Sequence, residues 1–162
     1  MNLSSIPLLL LSLYSYVAWS ADTTSANFLA DKQVRVLVQA EGNTVSYRLI
    51  ENSCHEGEIA RRQFENERPL HIEVGDYNFD GHEDFAVWHL DDGMGVHKIY
   101  RIFLYTPGQK TFEEALSRCG DTFINVRRDL RRRRLLSTHW SDNTPMSCVT
   151  RLPKTPGGHA QK

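Results

Sequence analysis

The chain has 162 residues, of which 40% are hydrophobic and 10% aromatic, a size that favours one domain with its own core over an array of large units. Nineteen Lys and Arg oppose twenty Asp and Glu, so the formal net charge at pH 7 is -1. Because a near-neutral chain creates no global field that attracts a polyanion, we do not expect a dedicated nucleic-acid-binding protein.

The N-terminal segment 1–20 contains no charged side chain, and residues 6–13 form an apolar centre typical of a secretory signal. Ala18 and Ser20 supply the small residues of a cleavage site, which makes Ala21 the expected mature N-terminus. Serines dilute the apolar run that a membrane span needs, although an uncleaved anchor is the alternative. We therefore predict a signal peptide, a protein of the periplasm or the exterior, and no membrane span after cleavage.

If the protein is exported, we expect a disulfide among its three cysteines, because an oxidising compartment converts thiol pairs into disulfides. Cys119 and Cys148 flank a predicted hairpin, and their pairing would close a loop of about thirty residues and restrict the unfolded chain. We favour this pair. The pairing of Cys54 with either of the others stays open, as does a crosslink between two chains.

Alternating apolar and polar residues predict about eight strands between residues 21 and 152. The predicted strands are a hairpin of residues 34–39 and 45–49, a strand at 72–74 that ends at Gly75, and strands at 85–90, 98–105, 122–126, 135–140 and 146–152. Residues 51–69 are expected to form a loop with a short helical turn at 59–64. The Pro- and Gly-rich segment 153–162 predicts a disordered tail.

The same pattern defines the fold class. Residues 85–90 are apolar on both faces apart from His89, which indicates a central strand covered on both sides. No segment after the signal keeps a helical period for three turns. We therefore predict a single all-β domain, an antiparallel β-sandwich or a twisted pair of sheets.

Residues 76–84 have the residue types of a calcium loop. In the numbering of such loops, Asp76, Asn78 and Asp80 hold positions 1, 3 and 5, Gly81 holds position 6, His82 offers its backbone carbonyl at position 7, and Asp84 closes the set at position 9. Short oxygen side chains at alternate positions suit Ca2+, which takes about six to eight oxygen ligands. Position 12 is Val87, so the bidentate Glu of a complete EF-hand is missing. The alternative is a polar turn that bonds only its own backbone; we favour Ca2+, in a structural role.

These residues carry a resemblance to a known family. Residues 76–88, the glycine-containing loop that follows, the strand YRIFLYTP at 100–107, and Phe112 with Leu116 resemble small exported calcium-loop proteins related to the periplasmic inhibitors of invertebrate-type lysozyme. That group includes immunity proteins against lysozyme-like effectors of type IV secretion systems. The calcium loop alone also resembles that of FG-GAP repeats. The resemblance covers residues 70–140 and implies a periplasmic, β-sandwich-like domain that works by binding.

The resemblance also implies a partner-binding loop. In such inhibitors a protruding loop with a small-residue motif enters the lysozyme cleft, and the corresponding segment is 91–97, with Asp92, Gly93 and Met94 at its expected apex. It lacks the serine-glycine signature of inhibitors of invertebrate-type lysozyme. The expected partner is therefore a lysozyme-like peptidoglycan hydrolase in general. The alternative is a flexible connection without a partner.

Charge is distributed unevenly along the chain. Up to His97 six basic and fifteen acidic side chains give -9, and from Lys98 onward thirteen basic and five acidic side chains give +8. Much of the positive charge comes from six arginines between Arg127 and Arg134, around Asp129. The cluster is either a site for an anionic surface or protein, or a solvated hairpin tip, which we favour.

The sequence offers no motif for catalysis. Nucleophile-elbow, HExxH and P-loop motifs are absent, and the histidines are scattered, so we expect no enzyme. Three classes of function remain. The favoured one is an inhibitor or immunity protein against a peptidoglycan hydrolase, and the alternatives are an FG-GAP-like calcium-dependent binding module and a calcium-stapled structural envelope protein.

Overall fold

The computed structural model describes residues 24–51 and 55–154, in which every regular element is a β-strand. The strands are β1 (Thr24–Leu29), β2 (Val34–Glu41), β3 (Thr44–Glu51), β4 (His55–Glu56), β5 (Ala60–Gln63), β6 (His71–Gly75), β7 (Asp84–Leu90), β8 (Lys98–Thr106), β9 (Thr111–Glu114), β10 (Phe123–Asp129), β11 (Arg134–Ser141) and β12 (Thr144–Thr150). The predicted all-β class is confirmed. The predicted signal peptide, Cys54 and residues 155–162 of the predicted tail lie outside the described residues. No helix capable of crossing a membrane occurs in the described part of the chain.

The strands form two antiparallel sheets. The first has five strands in the order β1-β2-β3-β4, with β5 also paired to β3. The second has seven strands in the order β12-β11-β10-β8-β7-β6, with β9 also paired to β8. Most neighbours in a sheet are consecutive in the sequence, so the topology is built largely from hairpins.

Strand β7 lies between two hydrophobic clusters, as the sequence predicts. Phe85 and Val87 pack in one cluster with the valines of β2, whereas Ala86 packs in the other with Tyr77 and Leu135. Successive side chains of a strand point to opposite faces. The first sheet therefore covers one face of β6–β8, and part of the second sheet covers the other face.

A bend in β10 allows the second sheet to cover its own central strands. The pairing of β10 with β11 shifts register between Ile124 and Arg127, and Asn125 between them has a positive φ of 52°. A bulge of this kind bends a strand. Beyond the bend, Leu135 of β11 packs with Ile102 of β8, which places the β10–β11 hairpin over the face opposite the first sheet.

The structure corrects three expectations about the elements. The helical turn expected at 59–64 is wrong, because β5 forms an extended strand that pairs with residues 44–47 of β3. Strands β1, β4 and β9 were not predicted, and β4 lies in the segment 51–69 that was expected to be a loop. The described strands therefore number twelve rather than about eight. The four unpredicted strands have six residues or fewer, and β5 has exposed polar side chains at 61–63, so hydrogen bonding to a neighbour determines its conformation without an alternating pattern.

The favoured disulfide is confirmed. Cys119 and Cys148 are bonded, with Cα atoms 6.0 Å apart and a sequence separation of 29. The bond ties the segment before β10 to β12. A disulfide is typical of proteins of oxidising compartments, which is compatible with an extracytoplasmic location.

Candidate functional site

The loop of residues 76–84 joins β6 to β7, and both its ends are fixed by the hairpin. Gly75 and Asp84 are paired across the two strands. Within the loop, Tyr77 and Phe79 are buried in the second hydrophobic cluster. The alternation of apolar and oxygen-bearing residues thus anchors the loop through its aromatic side chains and gathers its oxygen atoms around the turn.

Three of the predicted ligand side chains lie around this single turn. Asp76 accepts hydrogen bonds from the backbone N–H groups of Asp80 (3.1 Å) and Gly81 (2.9 Å). Asn78 Oδ1 accepts from the same Asp80 N–H at 3.1 Å, and Asp80 Oδ1 accepts from the N–H of His82 at 2.9 Å. Gly81 has a φ of +97°, a conformation that favours glycine and lets the chain reverse here.

The fourth predicted ligand, Asp84, is completely buried. Its two oxygens accept hydrogen bonds from the backbone N–H groups of Tyr77 and Tyr105, each at 2.8 Å. Burial raises the pKa of Asp84 to about 7, and the nearby carboxylates of Asp80 and Asp76 contribute to the increase, against the lowering effect of the two N–H bonds. A buried carboxyl group beside two other carboxylates is an arrangement that a bound cation stabilises.

The donor set has the chemistry that calcium requires. It consists of three carboxylates, one amide oxygen and the backbone carbonyl of His82, whose ring packs against Tyr105 with centroids 5.8 Å apart. Ca2+ lies about 2.3–2.6 Å from its oxygen ligands. The carboxylate oxygens of Asp76, Asp80 and Asp84 do not all lie within 4.8 Å of one another, a spacing that ligands on opposite sides of one Ca2+ ion also have.

Another group of potential metal ligands lies elsewhere in the described chain. Ligand atoms of Cys119, His139 and Cys148 all lie within 4.8 Å of one another. The two sulfur atoms are joined in the disulfide. Because thiolates are the metal-binding form of cysteine, the oxidised pair offers no such ligand.

Two contacts that the sequence did not predict hold the 76–84 loop from outside. The Tyr105 hydroxyl donates a hydrogen bond to Asp31 Oδ2 at 2.8 Å, and the N–H of Glu83 donates to the Ala30 carbonyl at 3.1 Å. These bonds attach the turn between β1 and β2 to the loop. They join residues more than fifty positions apart, so no local pattern could have revealed them.

The β10–β11 hairpin supports the opposite side of the 76–84 loop. The Arg133 guanidinium donates a hydrogen bond to the Phe79 carbonyl. Arg128 lies over the Tyr77 ring, 5.2 Å from its centroid, and occupies the space that a side chain at Gly75 would need. Part of the arginine cluster therefore has a structural role that its sequence pattern did not indicate.

One carboxylate holds the two ends of the expected partner-binding segment 91–97 together. Asp91 accepts hydrogen bonds from the backbone N–H groups of His97 (2.6 Å), Val96 (2.8 Å) and Gly95 (3.2 Å). Its own N–H donates to the His97 carbonyl at 2.8 Å. The bond from His97, followed by those from Gly95 and Val96, holds the pKa of Asp91 below its ordinary value. The sequence analysis did not identify this residue as the organiser of the segment.

All three predicted apex residues are exposed. Met94 is 81% exposed, the largest value among the exposed large hydrophobic side chains of the described residues, and Asp92 and Gly93 precede it at the surface. Asp92 Oδ1 accepts a hydrogen bond from the Glu67 N–H at 2.9 Å, which fixes one side of the apex. The far end of the segment is held by the His97 ring, which contacts an exposed tryptophan of β11 with centroids 5.2 Å apart.

Comparisons with known proteins leave the family open. The lysozyme-inhibitor resemblance therefore remains a prediction from residues 70–140, and the functional argument depends on the two loops described above. No protein-family model, no curated protein and no solved structure matches this chain.

Proposed function

We propose that this protein is an exported, calcium-binding β-domain of the periplasm or the exterior that binds and inhibits a lysozyme-like peptidoglycan hydrolase. The observation that carries the proposal is the loop of residues 91–97, whose apex exposes Met94 while Asp91 holds its base closed. A loop of fixed shape that presents an exposed apolar side chain is suited to entering a concave site.

The scaffold explains how such a loop keeps its shape. It connects β7 to β8, which pair from Phe85↔Phe103 to Leu90↔Lys98. Both strands contribute to the two hydrophobic clusters, so the base of the loop cannot move independently of the core. A loop that is already ordered loses little conformational entropy on binding, which favours affinity.

Charge at the apex favours a basic partner. Asp92 and Glu67 are both exposed, and the Glu67 backbone N–H donates to the Asp92 carboxylate, while the guanidinium of Arg68 lies beside Gly95. In the proposed complex Met94 enters the cleft, and the carboxylate of Asp92 contacts cationic groups at its rim. Such charges mainly increase the association rate, so binding is expected to weaken as salt concentration rises.

The proposed role of calcium is structural. Asp76, Asn78, Asp80, Asp84 and the carbonyl of His82 would hold the ion. When bound, Ca2+ supplies positive charge that offsets the buried carboxylate of Asp84. The loop lies at one end of β7 and the proposed inhibitory loop at the other, so the ion would stabilise the hairpin without touching the partner.

The inhibition assay follows peptidoglycan lysis by a panel of lysozyme-type hydrolases, with and without the protein. Met94→Glu is expected to weaken inhibition of the target at least tenfold, because it places a charge in the contact centre. Leu116→Glu is the matched control, because Leu116 is also highly exposed, at 79%, but belongs to another segment. This control should inhibit like the native protein.

The alternatives predict other outcomes. If the native protein slows no hydrolase, or if Met94→Glu inhibits as well as the native protein, the inhibitor function is wrong. An FG-GAP-like module would then bind a glycan or matrix partner only without chelator, whereas a calcium-stapled structural protein would bind neither partner and would only lose stability on chelation.

A further inference from the structure

The β10–β11 hairpin carries six arginines, of which three are engaged in holding the structure. Arg128 lies over the Tyr77 ring, Arg133 donates to the Phe79 carbonyl, and Arg134 Nε donates to Asp129 Oδ2 at 2.9 Å. These contacts fix the hairpin against the calcium loop and within itself. They leave the other three arginines without a comparable role.

The remaining arginines face solvent. Arg127 and Arg131 are exposed and have no charged partner among the described residues. Arg132 stands 3.8 Å from Asp129, with 67% of its side chain exposed. Asp129 is the one carboxylate of the segment 127–134, so six arginines leave a net charge of +5 there.

The apex of the hairpin places an apolar side chain among these charges. Leu130 is 70% exposed. Its turn is ordered, because the Arg132 N–H donates to Asp129 Oδ1 at 3.2 Å and Arg133 is anchored to the calcium loop. Arg133 adopts a φ of +48°, where glycine would be less strained, so the turn keeps an arginine at some conformational cost.

We propose that this apex docks on an anionic lipid surface. Leu130 enters the headgroup region, and Arg127, Arg131 and Arg132 pair with lipid phosphates. Exposed apolar side chains flanked by cations are the combination that binds to the surface of anionic membranes. The proposed membrane contact uses no residue of the 76–84 loop or the 91–97 loop. It does not rest on the proposed binding of calcium or of a hydrolase.

The shape of the apex favours a membrane over a protein partner. A stable protein interface buries about 800 Å² on each side around an apolar centre. The hairpin tip presents a single exposed leucine in a segment of net charge +5, whereas the 91–97 loop exposes two apolar side chains, Met94 and Val96. A planar surface of phosphates requires only a projecting tip, and binding through one tip is expected to be weak, reversible and sensitive to salt.

The test is co-sedimentation of the protein, as processed by the cells that produce it, with vesicles. Vesicles of phosphatidylcholine are compared with vesicles containing about one third phosphatidylglycerol. The native protein is expected to bind only the anionic vesicles. R131Q/R132Q should lower the partition coefficient about 25-fold, since each arginine near such a surface contributes about fivefold. L130S should also weaken binding.

The matched control is R61Q/R68Q, which removes the same charge from two other exposed arginines and should retain native binding. Equal losses in the two double variants would assign the effect to net charge and overturn the proposal. So would the absence of a preference for anionic vesicles. The native protein could instead fail to bind vesicles and be retained by immobilised polyglutamate, with the retention lost in R131Q/R132Q. In that case the tip binds an acidic protein, and the membrane proposal is wrong.

Discussion

Tyr105 joins Asp31 to Asp84. Its hydroxyl donates to Asp31 Oδ2 at 2.8 Å, and its backbone N–H donates to Asp84 Oδ1 at the same distance. Asp31 lies in the turn between β1 and β2, and Asp84 is the buried last residue of the 76–84 loop. One residue of β8 therefore links the first sheet to the candidate metal site.

The Tyr105→Phe variant removes the hydroxyl and keeps the buried ring. We expect the free energy of unfolding to fall by about 1–2 kcal/mol, because a hydrogen bond to a carboxylate is lost while packing is retained. Urea unfolding measures the change. In a double-mutant cycle with Asp31→Asn, the two effects should be strongly non-additive, whereas additive effects would show that the bond contributes nothing of its own.

Asp31 should also make stability depend on pH. Burial by itself raises its pKa, but hydrogen bonds from the Gln33 N–H, the Tyr105 hydroxyl and the Val34 N–H outweigh burial, so the pKa is lowered. Since the pKa is lower in the folded state than in the unfolded state, the stabilisation is complete above the unfolded value of about 3.9. It is lost as the pH falls through the folded pKa. The difference in stability between native protein and Asp31→Asn should therefore shrink below about pH 4, and a constant difference would contradict this assignment.

Calcium should raise the thermal stability. An ion that binds only the folded state at about 100 times its dissociation constant adds about 2.7 kcal/mol, which corresponds to an increase in Tm of about 8 °C for a domain of this size. Asp80→Ala should abolish the increase, because it removes the ligand oxygens at this position. Asp121→Ala is the control, because Asp121 is exposed and lies outside the loop. An unchanged Tm after the addition of chelator to the native protein would remove the calcium assignment.

Local patterns predicted the parts of this fold that depend on near neighbours. The alternation in β2, β3 and β8 and the double-sided apolar run of β7 identified the central strands, because one or both faces of each are buried. The spacing of Asp76, Asn78 and Asp80 likewise identified side chains that lie around one turn. The pair Cys119–Cys148 could be favoured because both cysteines flank a recognisable hairpin.

Interactions between distant residues could not be predicted in this way. The bond from Tyr105 to Asp31 spans 74 positions, and that from Arg133 to Phe79 spans 54. The strand β5 depends on pairing with β3, which fixes its conformation although its side chains give no alternating pattern. The sequence identifies the loops, whereas the three-dimensional structure identifies the residues that hold them in place.

Asp91 provides a test of how the 91–97 loop is held that does not require a partner. Its carboxylate accepts three backbone N–H groups, whereas the neighbouring Asp92 accepts one, from Glu67. Replacing Asp91 by Ala should free the N–H groups of Gly95, Val96 and His97 to exchange with water, because local opening no longer breaks these bonds. In hydrogen exchange measured by NMR, these three amides should therefore lose protection, while the amides of β7 and β8 keep theirs.

Asp92→Ala is the matched control and should leave the three amides protected. Equal protection in native protein and Asp91→Ala would mean that the strands alone hold the loop. A selective loss, together with weaker inhibition by the same variant, would connect the order of the loop to the proposed binding.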